Sequence, residues 1–267
     1  MDTVNLAAIA DFYNHLDVFA LIVVRLIGFM VIMPIFAGAN IPNLVKIGLA
    51  VAVGLLVYQS GVAGSVTYDD SIPGYVLLIF KEFMVGFCIG FAVYIVFNVV
   101  FYAGQLIDFQ IGFSMVSVLD PLTQIQVPIT GNLLYLVVTV IFVVSGGFSS
   151  VVAAVFYSFQ HVPIGTADVI ANGGLVWYLI QMIATFFVTG LKIAMPIVGS
   201  VLILDVSLGI LVKTVPQMNV FVVGMPIKLL AGIAMLVIIA PMMATVYNFL
   251  YDQAYNSVLT IIKGLSP

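Results

Sequence analysis

The sequence predicts an all-α integral membrane protein built from long helical hairpins. Of its 267 residues, 64% are hydrophobic and 7% are charged, whereas a soluble domain has about 25% charged residues. The mean hydropathy is +1.30, and several apolar runs approach or exceed the roughly 20 residues that a membrane-crossing helix needs. No internal repeat of fixed period occurs, so we expect a single domain over residues 1–267.

Six apolar segments follow one another along the chain, and each predicts helical structure. Stretches rich in Gly, Pro, Asn, Gln and Asp separate them, and these residue types are typical of turns and helix ends. The segments are residues 18–36, 44–58, 75–103, 133–159, 175–212 and 221–250.

The uneven lengths of these segments favour hairpins packed in a larger body over a regular bundle of spanning helices. Segment 44–58 is short for a membrane span. Segments 75–103 and 175–212 are too long for one upright helix. Pro196 predicts a break or kink in the second, because proline lacks the amide proton that a helix uses.

Asp205 is the one acid in an otherwise apolar stretch from residue 195 to 228. Residues 197–212 contain eleven Val, Ile and Leu. At about −0.3 to −0.6 kcal/mol each, these roughly cancel the about +3 kcal/mol cost of a mid-span aspartate. The segment can therefore enter a membrane if Asp205 faces protein or water, which suits a channel or transporter subunit better than a lone anchor.

The composition argues against several classes of function. Seven Lys and Arg in the whole chain provide no basic cluster for phosphates, so we expect no nucleic-acid binding. His15 and His161 are isolated, and no metal-ligand spacing, Walker loop or nucleophile elbow occurs. We therefore expect no enzyme activity, no metal and no cofactor.

Two patterns point to packing, and each has an ordinary alternative. Gly86 and Gly90 form a GxxxG pattern that allows close helix approach, although glycine-rich membrane helices show such spacings commonly. Asp205 and Lys213 are eight residues apart and could share a helix face. Separate partners on neighbouring subunits are at least as compatible with their spacing.

Residues 104–121, GQLIDFQIGFSMVSVLDP, form the most distinctive connection in the chain. They follow a long apolar segment, and the only charges among them are Asp108 and Asp120. Gly104 and Gly112 loosen the backbone, and Pro121 ends the segment. Two interpretations remain open: a helix continuation packed in the core, or an apolar constriction that closes a pore by excluding water.

Three stretches of the chain resemble the R-type export-gate subunit of the bacterial flagellar type III secretion apparatus, the FliR family. They are RLIGFMVIMPIFAGANIPNLVKIGLA at residues 25–50, GQLIDFQIGFSMVSVLDP at 104–121 and MPIVGSVLILDVSLGILVKTVPQMNVFVVGMPIKLLAG at 195–232. The likeness extends over nearly the whole chain, and the three stretches occur in the family's order. The related injectisome export gate shares these features, and details of residues 104–121 favour the flagellar branch.

The resemblance implies a conical heteromeric assembly of helical hairpins around an export channel. One R-type chain joins about five P-type and about four Q-type subunits, and their hairpins wind into a right-handed cone. A B-type switch subunit, unfolded flagellar export substrates and membrane lipid are the other implied partners. The family's plug loop matches residues 106–119. The implied plug and gate residues are Leu106, Phe109, Ile111, Gly112, Phe113, Met115, Val116, Val118 and Leu119. The candidate assembly residues are Arg25, Asp205, Lys213 and Lys228, and the family does not assign them.

The predicted function is a structural and gating subunit of the flagellar protein export channel, in the bacterial inner membrane at the flagellar basal body. The alternatives are an injectisome-type export-gate subunit and an ion-coupled secondary transporter that uses Asp205 and Lys192. Those two residues are about 220° apart on one helix, and the chain lacks the repeated halves of many transporters.

Overall fold

The computed structural model describes residues 16–37, 41–62, 72–113, 128–167, 173–215, 217 and 219–266. The secondary structure in these ranges is helical and contains no strand, which confirms the predicted all-α class. A 3-10 turn at Ala240–Met242 joins the last two helices. The helices are α1 (Leu16–Ile32), α2 (Pro34–Ala37), α3 (Asn43–Gln59), α4 (Ile72–Ile111), α5 (Ile129–Val144), α6 (Gly147–His161), α7 (Gly173–Thr214), α8 (Val220–Ile239) and α9 (Met243–Leu265).

The helix boundaries differ from the predicted segments at several places. Predicted segment 221–250 is divided by the 3-10 turn at Ala240–Met242, and α9 continues to Leu265. Helix α4 continues to Ile111 instead of ending at residue 103. The predicted segment 133–159 is two helices, because Gly146 adopts φ +78°, a left-handed conformation that an α-helix cannot contain. Helix α7 is continuous through Pro196, so the break does not occur, and the alternative of a kink stays a prediction. One proline removes a single backbone hydrogen bond, and the remaining bonds of this 42-residue helix persist.

In the part of the chain that the structure describes, three helical stretches are long and apolar enough to cross a membrane. They are Ile72–Ile111, Gly173–Thr214 and Val222–Leu265. Helix α4 has 40 residues. At 1.5 Å per residue it is about 60 Å long, roughly twice the thickness of a bilayer's hydrocarbon core. The described residues thus confirm the prediction of long apolar helices suited to a membrane protein.

The chain divides into two compact units. Unit 1 comprises Met1–Tyr94, Gly147–Ile180 and Ala254–Pro267, and unit 2 comprises Ile95–Gly146 and Gln181–Gln253. Helices α4, α7 and α9 each contribute residues to both units. The expectation of one domain over residues 1–267 stays a prediction.

Helices α1 and α4 approach each other closely in unit 1, at positions where each helix has a glycine. A Cβ atom on Gly86 would lie 2.9 Å from the carbonyl carbon of Arg25 and 2.9 Å from the amide nitrogen of Phe29. A Cβ on Gly90 would lie 2.7 Å from the Phe29 oxygen. On the facing helix, a Cβ on Gly28 would lie 2.5 Å from a backbone oxygen of α4. These contacts confirm the predicted close helix approach at Gly86 and Gly90.

A fully buried ion pair crosses the same α1–α4 contact. The Nε of Arg25 donates to Oε2 of Glu82 over 2.7 Å, and neither side chain is exposed to solvent. Both terminal nitrogens of Arg25 donate to the Val162 carbonyl at 3.0 Å, and the Gly165 amide donates to Oε1 of Glu82 at 2.8 Å. The guanidinium carbon lies 4.2 Å from the centre of the Phe159 ring. The pair therefore ties the segment after α6 to α1 and α4.

We expect Gly86→Ala to destabilise the α1–α4 contact. The new methyl group would overlap the α1 backbone, which cannot move aside as a flexible side chain can, and overpacking of this kind costs about 1–3 kcal/mol. The measurement is the midpoint of thermal aggregation of the purified, detergent-solubilised complex that contains the variant chain. Gly48→Ala is the matched control, because no atom lies within 4 Å of a Cβ at Gly48. Equal midpoints for the two variants would contradict the close contact.

We expect the double variant with Arg25→Met and Glu82→Leu to lose less stability than the sum of the losses of the two single variants. Each single change leaves one buried charge without its partner, a loss of about 3–5 kcal/mol, whereas the double variant leaves neither charge. The double variant still lacks the bonds to Val162 and Gly165, so recovery should be partial. The readouts are the yield of monodisperse protein and its thermal midpoint. Strictly additive losses would show that the two side chains do not act together.

Candidate functional site

Residues 104–113 form the end of helix α4 and lie in unit 2. Helix α4 passes through Gly104 and ends at Ile111, so residues 104–111 are the helix continuation that the sequence left open as one interpretation and are not a loop. Gly104 remains helical while its α-carbon packs against α5, where a Cβ would lie 2.8 Å from the carbonyl carbon of Thr130. The helix ends at the second glycine of the segment, since Gly112 adopts φ +100°.

The predicted plug residues fall into two groups. Of those described, Ile111 is buried, Leu106, Gly112 and Phe113 are half-buried, and Phe109 is 75% exposed. The first three in sequence, Leu106, Phe109 and Ile111, belong to helix α4. Met115, Val116, Val118 and Leu119 lie outside the described residues.

Asp108 caps the beginning of helix α5 from a neighbouring helix. Its side chain is 3% exposed. Its carboxylate oxygens accept hydrogen bonds from the Thr130 amide at 3.1 and 3.0 Å and from the Gly131 amide at 3.5 Å. An anion is stabilised there because the first amides of a helix have no partners within it and carry a partial positive charge. Pro128, the residue before α5, makes no side-chain cap, so Asp108 supplies one.

From the sequence, Asp108 was identified only as a charge at the edge of an apolar segment. One feature of the sequence could have indicated its role as a helix cap. A proline precedes α5 where Ser, Thr, Asp or Asn usually caps a helix, so an acceptor had to come from elsewhere in the fold.

Asp205 on α7 forms its ion pair with Lys228 on α8. Its Oδ2 also accepts a hydrogen bond from Nε2 of Gln110, in the last turn of α4, at 3.0 Å. The side chains of Asp205 and Lys228 are 34% and 27% exposed. The acid thus faces protein, as its position in an apolar helix requires.

Sequence reasoning considered Lys213 and Lys192 as partners for Asp205, and the structure leaves both exposed. Lys228 was identified as a candidate assembly residue but was not paired with Asp205. The two positions lie nearly the same distance from the turn between α7 and α8. Antiparallel hairpin geometry was therefore the signal that could have connected them.

Arg25, also predicted as an assembly residue, is buried and hydrogen-bonded inside unit 1, and its role in assembly stays a prediction. No three His, Cys, Asp or Glu side chains come together to hold a metal ion among the residues that the structure describes.

A family model and individual relatives of the chain indicate the same family of proteins. Residues 16–254 match the model of bacterial export proteins, family 1. The flagellar biosynthetic protein FliR of Bacillus subtilis (strain 168) is 32% identical over 224 residues, covering 82% of this chain and 85% of the relative. FliR of Escherichia coli (strain K12) is 26% identical over 232 residues, covering 87% of each chain.

A relative with a different name belongs to the same set. The Yop proteins translocation protein T of Yersinia pestis is 28% identical over 232 residues, covering 86% of this chain and 88% of the relative. The matches extend over most of both chains, and the helices are those of a membrane protein. The chain therefore belongs to the FliR family of bacterial export proteins.

Proposed function

We propose that this chain is a structural and gating subunit of the flagellar protein export channel. In this proposal it assembles with P-type and Q-type subunits and a B-type switch subunit. The complex lies in the inner membrane at the flagellar basal body and passes unfolded flagellar proteins. Family membership and the FliR relatives support the export role.

The observation that carries the proposal is the large uncovered apolar surface of the later helices. Only 17% of the apolar window in Gly173–Thr214 and 11% of that in Val222–Leu265 is buried within the chain. Exposed apolar surface of this extent requires lipid or other subunits to cover it. A subunit of a heteromeric membrane channel meets that requirement.

The gating part of the proposal concerns residues 106–119. The segment has no charge between Asp108 and Asp120, and a narrow apolar constriction excludes water and ions. Each chain provides one such segment, which suits a single plug better than a symmetric ring. Phe109 adds an apolar side chain that the rest of this chain leaves 75% exposed.

Two alternatives differ in their support. The Yop translocation relative favours an injectisome-type export subunit as the nearest rival, because its name refers to protein translocation. The ion-coupled transporter required Asp205 and Lys192 to act together. The pairing of Asp205 with Lys228 removes the basis for that combination.

We expect polar replacement of the plug to make the resting channel leak. Changing Phe113, Met115, Val116, Val118 and Leu119 to serine keeps the length of the segment while removing the side chains that exclude water. Ile111 is left unchanged because it packs inside unit 2. The measurement is ion conductance of liposomes containing the assembled complex. Leucine at the same five positions is the control and should retain the seal. A serine variant that assembles and conducts no more than the leucine variant would rule out this segment as the seal.

We expect the chain to accumulate as a defined species only with its partners. Expression alone should give aggregates or low yield, since the uncovered helices have no protein to pack against. Expression with the P-type and Q-type subunits should give one large complex, and its mass reports the composition. A monodisperse monomer in mild detergent, equally abundant with and without the partners, would contradict the proposed assembly.

A further inference from the structure

The last turn of α4, residues 108–111, contacts three other helices of unit 2. We name it the anchor turn. Asp108 binds the first amides of α5, Gln110 binds Asp205 on α7, and Ile111 packs against Gly232 on α8. Through Asp108, Gln110 and Ile111, this turn connects α4 with α5, α7 and α8. It lies directly before residues 112–119, the part of the gating segment beyond the helix.

We propose that the anchor turn holds the start of this segment in a fixed position, and that Asp205 and Lys228 are positioning residues for the turn. In this view their ion pair is an internal support and not a link to another subunit. The inference rests on the proposed gating function, because it identifies the residues that support the gate.

The first contact fixes the two ends of the segment relative to each other. Asp108 lies one helical turn before Gly112, where the part of the gating segment beyond α4 begins, and Thr130 and Gly131 lie at the start of α5. The carboxylate bridges them through hydrogen bonds of 3.0 and 3.1 Å in a site that is 3% exposed. The backbone of Gly104 also touches that of Gly131. Residue 108 and residues 130–131 are therefore held together within this chain, which limits the positions available to residues 112–113 and 128–129.

The second and third contacts fix the turn on the α7–α8 hairpin. Lys228 and Gly232 are four residues apart and share one face of α8. The polar group Gln110–Asp205–Lys228 meets this face at one end. Ile111 fills the space above Gly232 at the other, where a Cβ would lie 2.5 Å from Cγ1 of Ile111. The Gln110–Asp205 hydrogen bond orients the turn relative to α7, and the fit of Ile111 on Gly232 sets the distance between the turn and α8.

Gly112 marks the limit of the anchored region. It adopts φ +100°, and no atom lies within 4 Å of the place where its Cβ would be. Its amide donates to the Asp108 carbonyl at 3.1 Å, and this hydrogen bond connects Gly112 to the anchor turn. A change of backbone direction after this residue leaves the three contacts intact.

The first test displaces Ile111 without changing it. Gly232→Val places side-chain atoms where Ile111 lies, and Gly199→Val is the control because a Cβ there meets no atom within 4 Å. In the purified complex, amide hydrogen exchange of residues 110–113 should rise about tenfold in Gly232→Val and not in the control. Ion conductance of the same complex should rise with it. Adding Ile111→Ala should return both readouts toward the wild-type values, since the smaller side chain relieves the overlap.

The second test reverses the ion pair. Asp205→Lys and Lys228→Asp should each raise both the exchange and the conductance. The double exchange should restore both, because the Gln110 amide can donate to an aspartate or accept from a lysine. If the single variants instead fail to assemble and the double exchange does not rescue assembly, the pair contacts another subunit and the inference is overturned.

The two readouts separate this inference from the gating proposal. Unchanged exchange in Gly232→Val overturns the anchor whatever the conductance shows. Raised exchange without added conductance, in a complex that conducts when its plug is serine, shows that the turn does not position the seal. Absence of conductance in the serine plug variant contradicts the gating proposal itself, and the exchange data then decide the anchor alone.

Discussion

The buried charge at Arg25 sets the constraint on which the packing of unit 1 depends. A guanidinium cannot lose its proton in a protein, so every polar group around it must offer an acceptor. Glu82 and the Val162 carbonyl do so at 2.7 and 3.0 Å. Because Glu82 also accepts the Gly165 amide, the position of the chain after α6 is tied to the α1–α4 contact. The glycines of that contact let the backbones approach closely enough for the pair to form.

Unit 2 satisfies its charges by a similar rule with different chemistry. Asp108 has no basic partner among its described hydrogen bonds and uses the amides at the start of α5, while Asp205 uses Lys228 and Gln110. Isolated charges among apolar helices are costly, so each carboxylate selects one arrangement of the helices around it. Asp108 belongs to the last turn of α4, and Asp205 contacts the same turn through Gln110. The conformation of that turn is therefore defined by electrostatics as well as by side-chain packing.

The sequence predicted what depends on one helix at a time. Composition and the lengths of the apolar runs predicted the all-α class, and the spacing of Gly86 and Gly90 indicated a close contact that the structure contains. Partners on different helices were not predictable in this way. Arg25 and Glu82 are 57 residues apart, and the pattern of either helix says nothing about which helix it faces. For the end of α4 the sequence left a helix continuation and a constriction open, because the missing side chain of Gly104 is compatible with a helix end as well as with packing against α5.

The distribution of burial explains why these internal contacts matter for an export protein. Helices α7 and α8 bury little of their apolar surface within the chain, so their outer faces remain for lipid or other subunits. Contacts on outer faces depend on which neighbours are present. The contacts of Asp108, Gln110 and Ile111 belong to the chain itself and can form before any neighbour arrives. A gate attached to such contacts has a defined starting position as soon as unit 2 is folded, and assembly then needs only to enclose it.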